Sequence, residues 1–505
     1  MALARVMTFT LDGVEARRVW VEADIRSGLP AFSIVGLADK AVREARERVR
    51  AAVTNAGYLF PEKRITVNLA PAYLRKVGAA FDLPVAVALL AASGQLPREA
   101  VAGAAIAGEL SLYGEVRPMR GALAMAEAAR RAGIGRLLVP RRRAAEAALV
   151  PEVEVLGVET LQEAAEVLAG SRAPAAVPDG PPEDDHGPDE PDLADVRGHN
   201  ALVPALEVAA AGGHNLFLHG PPGTGKTMLA RRLPSLLPPM TAAEAIEVTR
   251  LASIAGQHDG GLVGRRPFRA PHHTISASGL VGGGSPPMPG EATLAHHGVL
   301  FLDELSEFIR PALEALRQPL EDGRVTIVRA QRVMIFPTRI TLVAASNPCG
   351  CGMGEEACRC TAADLARHHR RLSGPLLDRI DVSVTVGRPS ADALRSQAAP
   401  CSAAVRERIV AARERQTLRL AGTGFTCNAQ MSARALRDLA AATPDAMALL
   451  SVLYDRNHLS ARGHGRILRV ARTLADLAES DRVRSDHVHQ AAALRLDDQS
   501  LALAA

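Results

Sequence analysis

A multidomain α/β protein is predicted, and three observations predict it. The chain has 505 residues, more than one hydrophobic core normally holds, so two to four domains are expected. A short apolar run, Asn215-Leu-Phe-Leu-His219, leads into a Gly-rich turn and then into helix-forming Met228-Leu-Ala-Arg-Arg-Leu233. Strand, turn and helix in that order make one unit of a parallel sheet. Residues 402–505 carry almost no strand signal and repeat Ala, Leu and Arg at helical spacing, the pattern of an all-α unit.

Composition narrows the class. Hydrophobic content of 48% and charged content of 23% are ordinary for a soluble globular protein. Aromatic residues make up only 3%, which argues against base-stacking platforms as the main binding device. A net charge of +4 is too small to declare a nucleic-acid binder. No apolar run reaches about 18 residues, so no transmembrane helix is predicted. The N-terminus lacks the charged, apolar, small-residue order of a signal peptide. Six cysteines in such a chain point to thiols or metal ligands rather than a disulfide framework. A cytoplasmic protein is expected.

Residues 1–170 alternate strand-like runs (Phe32–Gly36, Arg64–Ala70, Val101–Ala107) with helix-period stretches (Ala41–Val53, Leu83–Ala92), so an α/β or α+β domain is expected. Leu74-Arg-Lys-Val-Gly-Ala-Ala-Phe-Asp-Leu83 and Gly108-Glu-Leu-Ser-Leu-Tyr-Gly-Glu-Val-Arg-Pro-Met-Arg-Gly121 resemble the proteolytic domain of Lon proteases, around its nucleophile loop and its lysine. A Ser–Lys dyad needs a hydroxyl and an amine. The resemblance puts Ala80 at the serine and Leu123 at the lysine, so a docking or regulatory domain is expected and a protease is not. Residues 171–194 are rich in Pro, Gly and acid and are read as an extended tether.

The chemistry is expected in residues 195–395. Gly220-Pro221-Pro222-Gly223-Thr224-Gly225-Lys226-Thr227 fits the phosphate-loop pattern. Its backbone N–H groups would close around phosphates at a helix N-terminus. Lys226 would reach the β- and γ-phosphates of ATP, and the Thr227 hydroxyl would bind Mg²⁺. Gly298-Val-Leu-Phe-Leu-Asp303-Glu304 is a buried strand ending in two carboxylates. Asp303 would organise the Mg²⁺ shell and Glu304 polarise the attacking water. A third strand ends at Asn347, placed to position water. Arg379, in Leu376-Leu-Asp-Arg-Ile-Asp381, is either a finger for a neighbouring subunit's γ-phosphate or a salt-bridge partner of Asp378 or Asp381.

Gly220–Thr227, Phe301–Glu304, Ala345-Ser-Asn-Pro-Cys349 and Leu376–Arg379 resemble an AAA+ ATPase of the magnesium-chelatase type. Arg269-Ala-Pro-His-His-Thr274, Pro289-Gly-Glu-Ala-Thr-Leu-Ala-His-His-Gly298 and Ser460-Ala-Arg-Gly463 narrow the resemblance to the ComM/YifB group, over nearly the full length. The fold it implies is a Lon-protease-like α+β N-terminal domain (1–170), an AAA+ α/β core (195–395) and an all-α C-terminal lid (396–505). It also implies a ring, usually a hexamer, with ATP between subunits. Members of the ComM type drive branch migration of DNA during recombination of incoming DNA. On the same resemblance Arg462 would be the lid arginine that touches the γ-phosphate in cis, with Arg466 the alternative.

Two insertions matter for a DNA partner. Residues 274–295 are Gly-rich and are read as a mobile hairpin or loop. Residues 324–336 alternate like a hairpin, with Arg329 and Arg332 near its tip, where they would neutralise phosphates without reading sequence. Cys349, Cys351, Cys358 and Cys360 could close a tetrahedral structural Zn²⁺ site, or stand as reduced thiols in a Gly-rich loop. Histidines occur in pairs at 272–273, 296–297 and 368–369. Neighbours on a strand or helix point apart, so a shared metal is not expected. The leading expectation is an ATP-driven motor on DNA; the alternative is a remodeller of a protein or metal-insertion complex.

Overall fold

A computed structural model describes residues 2–177, 191–258, 260–285, 287–329, 332–354, 358–372, 376–395, 398–456 and 460–503. The front of the chain folds around a seven-stranded mixed sheet. Its strands are β1 (Ala2–Asp12), β2 (Glu15–Arg26), β3 (Ala31–Val35), β4 (Arg64–Ala70), β5 (Ala104–Ile106), β6 (Arg136–Pro140) and β7 (Glu154–Val158), in the order β3-β4-β2-β1-β5-β6-β7. Around it lie α1 (Lys40–Asn55), α2 (Asp82–Ser93), α3 (Ala122–Arg131), α4 (Arg141–Ala147) and α5 (Leu161–Leu168). Every residue of α2 from Asp82 to Ala92 is buried, as a helix apolar on all sides requires. Ala80 stands on the turn before α2, and Leu123 lies in α3 with no exposed surface. Leu123 belongs to an apolar cluster against which the partly buried Ala80 packs, and neither carries a hydroxyl or an amine.

The second unit begins earlier than expected. Leu193 is fully buried in the hydrophobic core of this unit, and the Asp192 carboxylate accepts from the Ser402 backbone N–H at 3.2 Å. The tether expected over 171–194 therefore ends before residue 192, and residues 178–190 lie outside the described residues. Here α6 (Val203–Gly212), β8 (Leu216–His219), α7 (Lys226–Leu236), α8 (Ala242–Ala255), β9 (Phe268–Arg269), β10 (Val299–Leu302), β11 (Arg324–Arg329), β12 (Arg332–Pro337), β13 (Thr341–Ser346), α9 (Ala362–Leu372) and β14 (Val382–Thr385) follow in turn. Five strands form an all-parallel sheet in the order β9-β10-β13-β8-β14. Strands β8, β10 and β13 are apolar throughout or nearly so, because both faces are covered.

Hairpin β11–β12 pairs Arg329 with Arg332 at its end. Residues 274–295, read as a mobile hairpin or loop, hold a short hairpin, Gly282–Gly283 paired antiparallel with Met288–Pro289, flanked by helices Ala277–Val281 and Glu291–Leu294 that the sequence reading did not include. Ser276 caps the first helix through the Gly279 N–H. The C-terminal helices, led by α10 (Ser402–Arg419), α11 (Ala461–Leu477) and α12 (Ser485–Leu503), pack on α6, α7 and β14.

Helix α8 joins the two units. Ser253 Oγ accepts from the Gly121 N–H at 2.9 Å and donates to the buried Glu146, whose Oε1 also accepts from the Leu123 N–H at 2.8 Å. Arg250 pairs with Glu127 at 3.2 Å, and Ile254 is buried among front-domain side chains, worth roughly 2 kcal/mol of apolar burial.

Candidate active site

Parallel strands carry their loops to one end, and ligands of such sheets sit beyond the strands' carboxyl ends. Here β8 delivers Gly220–Gly225 to that end and α7 starts at Lys226. Two glycines are required by geometry. A Cβ on Gly220 would lie 2.1 Å from the Val386 carbonyl oxygen, and Gly225 has φ of 93°, a region side chains avoid. The Lys226 ammonium is held by the carbonyls of Gly220 (2.6 Å) and Pro221 (2.8 Å) and by Asn347 Oδ1 (3.0 Å). Burial pushes it below its ordinary range, while the charges of Asp303 and Glu304 pull it back up.

Strand β10 delivers the carboxylates. Thr227 Oγ1 donates to Asp303 Oδ2 at 2.7 Å, and the Glu304 N–H donates to Asp303 Oδ1 at 2.9 Å. A hydroxyl and a carboxylate in contact are the hard oxygen donors Mg²⁺ takes, so these residues fit that ion. Glu304 has φ of 51°, a left-handed turn that carries its side chain away from Asp303. It meets His273 Nδ1 at 3.3 Å. That contact was missed by sequence reasoning, which noted the 272–273 pair without a role. Asn347 follows β13, and its carbonyl is contacted by His368 Nε2 at 2.9 Å. Phosphate loop, Asp303, Glu304 and Asn347 thus meet at one end of the sheet.

Arg379 and Arg462 do not join them. Asn215, directly before β8, binds the amino ends of β14 and β13: its carbonyl accepts from the N–H groups of Asp381 and Val382 at 3.1 Å, and its Oδ1 from that of Leu342 at 2.9 Å. Its Nδ2 donates to the Arg379 carbonyl at 2.8 Å. Arg379 is therefore one strand length, about 13 Å, from the phosphate loop. Its guanidinium pairs with Glu321, not with Asp378 or Asp381. Burial lowers its pKa first, and the nearby charges of Arg317 and Arg462 lower it further. The expected cis contact of Arg462 with the γ-phosphate is therefore corrected: α11 brings Arg462 to the amino end beside Arg379. Arg466 is buried there too, 3.8 Å from Asp381, which His214 Nδ1 also holds at 3.2 Å.

The other expected residues fall into two groups. Arg329 and Arg332 stand on hairpin β11–β12, outside the loop cluster. The four cysteine thiols converge. Cys349 Sγ lies 3.3 Å from Cys351 Sγ and 3.6 Å from Cys358 Sγ, and Cys351 to Cys358 is 3.8 Å.

The histidine expectation needs correction. His297 has φ of 57°, its ring lies tilted against that of His296 (centroids 3.9 Å apart), and both Nε2 atoms meet Glu247 Oε2, at 3.0 and 2.8 Å. A metal is still disfavoured there. His296 Nδ1 accepts the Arg339 backbone N–H at 2.9 Å, which leaves the proton on Nε2, where a metal would have to bind. The His296 hydrogen bond is the main reason the Glu247 carboxyl is lowered to about 2. A depressed carboxyl stabilises fully above its unfolded value, roughly 4.3, and loses that contribution as pH falls toward the folded value. Glu247→Gln should therefore flatten the fall in melting temperature between about pH 5 and pH 2. Parallel curves for variant and parent would exclude this tie.

Comparison with known proteins follows the same layout. The family described as "Magnesium chelatase, subunit ChlI" matches residues 192–394, "Subunit ChlI of Mg-chelatase" matches 21–143, and the ChlI C-terminal family matches 399–495. A Mycobacterium tuberculosis protein is 45% identical over 502 residues, covering 98% of this chain and 99% of that protein. The YifB protein of Escherichia coli is 41% identical (99% and 98% covered), and Competence protein ComM of Haemophilus influenzae 42% (98% of each). The chain belongs to the ComM/YifB family of magnesium-chelatase-like proteins. That family makes it an AAA+ ATPase, with ATP and Mg²⁺ as the implied substrate and ion. Among the described residues no helix is long and apolar enough to cross a membrane.

Proposed function

We propose that this ComM/YifB-family chain is one subunit of an ATP-driven hexameric ring that moves on DNA and acts in branch migration or strand separation. The observation that carries the reading is the division of the site between two ends of one sheet. Phosphate-binding and water-activating residues stand at the carboxyl end. Arg317, Arg379 and Arg462 gather at the amino end, where Arg379 pairs with Glu321. Like charges held together favour an anion between them, and a γ-phosphate from an adjacent subunit supplies one. Subunits packed head to tail in a closed ring put one end against the other.

In this reading Lys226 and the loop amides bind the β- and γ-phosphates, while Thr227 and Asp303 would hold Mg²⁺, which when bound would neutralise charge developing on the phosphates. Glu304 accepts a proton from the attacking water, with His273 orienting its carboxylate, and Asn347 aligns that water. Arg379 and Arg462 stabilise the transferring phosphoryl group in trans. DNA as the track is supported by full-length similarity to a competence protein and by hairpin β11–β12, whose arginines would meet phosphates. The hairpin also exposes Val328 and Val333, an apolar surface of the kind that marks interaction sites.

The test is the ATPase rate with and without forked or four-way DNA across a salt series. Stimulation that fades as salt rises is expected, because phosphate contacts release counterions. No stimulation by DNA, with stimulation by a protein partner instead, would favour a remodeller of a protein or metal-insertion complex.

A further inference from the structure

Cys349 follows Asn347 by two residues, so the cysteine loop grows directly from the ATP site. The loop also leans on the phosphate loop. A Cβ on Gly352 would lie 3.1 Å from Pro222 Cδ, and one on Gly354 would reach Pro221 and Pro348 at ordinary contact distance. Beyond the cysteines, α9 returns His368 to the Asn347 carbonyl. Pro221, Pro222 and Asn347 are thus backed by a loop that has little apolar surface of its own: among its cysteines only Cys349 is buried.

The thiols supply what the loop lacks. All four Sγ atoms lie within 4.8 Å of one another. The 3.6 and 3.8 Å separations match the edge of a tetrahedron with Zn–S bonds of about 2.3 Å, roughly 3.8 Å. A backbone amide is aimed at one of the sulfurs: the Cys351 N–H lies 3.3 Å from Cys360 Sγ. Amide donors stabilise thiolates, and four thiolates without a cation would repel one another.

We propose that Cys349, Cys351, Cys358 and Cys360 form a structural tetrathiolate site for Zn²⁺, and that the filled site braces the phosphate loop and Asn347. All four positions are protein ligands, so the ion does no chemistry. The bracing half rests on the ATPase reading above; the metal half does not.

Full-length protein, purified without nucleotide, is expected to hold about one zinc ion per chain. Co²⁺ exchanged into it should show the thiolate charge-transfer and intense visible bands of tetrahedral cobalt. Cys351→Ser and Cys360→Ser should lose the metal, whereas Cys401→Ser, at an exposed thiol outside the cluster, should keep it. Zinc far below one ion per chain, or disulfides in place of free thiols, overturns the site. Turnover of ATP should fall roughly 10–100-fold on metal loss, and return when Zn²⁺ is restored to chelator-stripped parent protein. Metal loss with unchanged turnover overturns the bracing. A zinc-loaded parent that never hydrolyses ATP would sink the ATPase reading and leave the metal site standing.

Discussion

Glu304→Gln should bind ATP as the parent does and lose turnover by roughly 10²–10⁴-fold, the usual contribution of a positioned general base. The expectation follows from how the turn after β10 divides labour between adjacent carboxylates. Asp303 faces α7 and holds the Thr227 hydroxyl at 2.7 Å, so it belongs to the ion and the phosphates. Glu304, at φ of 51°, follows it on a left-handed turn, and its carboxylate meets His273 Nδ1 at 3.3 Å. Its side chain is 55% exposed, so the amide replacement leaves no buried charge without a partner and should not unfold the site. Gln keeps the shape and a hydrogen bond to His273 but cannot take a proton. Affinity for a fluorescent ATP analogue and single-turnover hydrolysis, measured side by side, give the answer. Hydrolysis at the parental rate would remove Glu304 from its role. Asp303→Asn should behave differently, weakening the Mg²⁺-dependent part of binding as well.

Much of this geometry was legible in the sequence because it is local. Gly220–Thr227 and its flanking strand and helix are contiguous, so the residues that set the backbone are also those that touch phosphate. The same holds for Val299–Asp303 and for the alternation that pairs Arg324–Arg329 with Arg332–Pro337. What was not legible depends on residues distant in the chain. Asn215 looks like the first residue of a strand, yet it binds segments near residues 342 and 380, and only the strand order makes that possible. His273 meets Glu304 because Phe268–Arg269 pairs beside β10. His296 and His297 converge on Glu247 through one left-handed residue, which period-based reasoning does not foresee. The lid arginine was misplaced for a related reason. Its helix was identified correctly, but which end of the sheet that helix approaches is decided by packing of α11 on α6 and α10, not by any pattern within Ser460–Arg472. In the front domain Ala80 packs against the cluster that holds Leu123, whereas the docking of α8 through Ser253 and Glu146 had no local signal.

Arg379→Ala should reduce ATP turnover by roughly 10³–10⁵-fold, the range for a transition-state arginine, while nucleotide affinity changes little. The magnitude alone would not separate a finger from a structural residue, since Arg379 is buried and paired with Glu321. Mixing separates them. A subunit carrying Arg379→Ala retains its phosphate loop, and one carrying Lys226→Ala retains its arginines. If the proposed ring joins the amino end of one sheet to the carboxyl end of the next, random equal mixing makes about a quarter of the interfaces complete, because heterologous contacts pair different surfaces of the two copies. Activity should then rise from two nearly inactive proteins toward that fraction. An arginine acting within its own subunit predicts no such recovery, and neither does a loss caused by misfolding. The strand length argues for recovery: some 13 Å of β8 stands between Asn215 and Gly220, further than a guanidinium tied to Glu321 can reach. Arg462→Ala, tested against Lys226→Ala in the same way, should show the same recovery if both arginines face the neighbour's nucleotide.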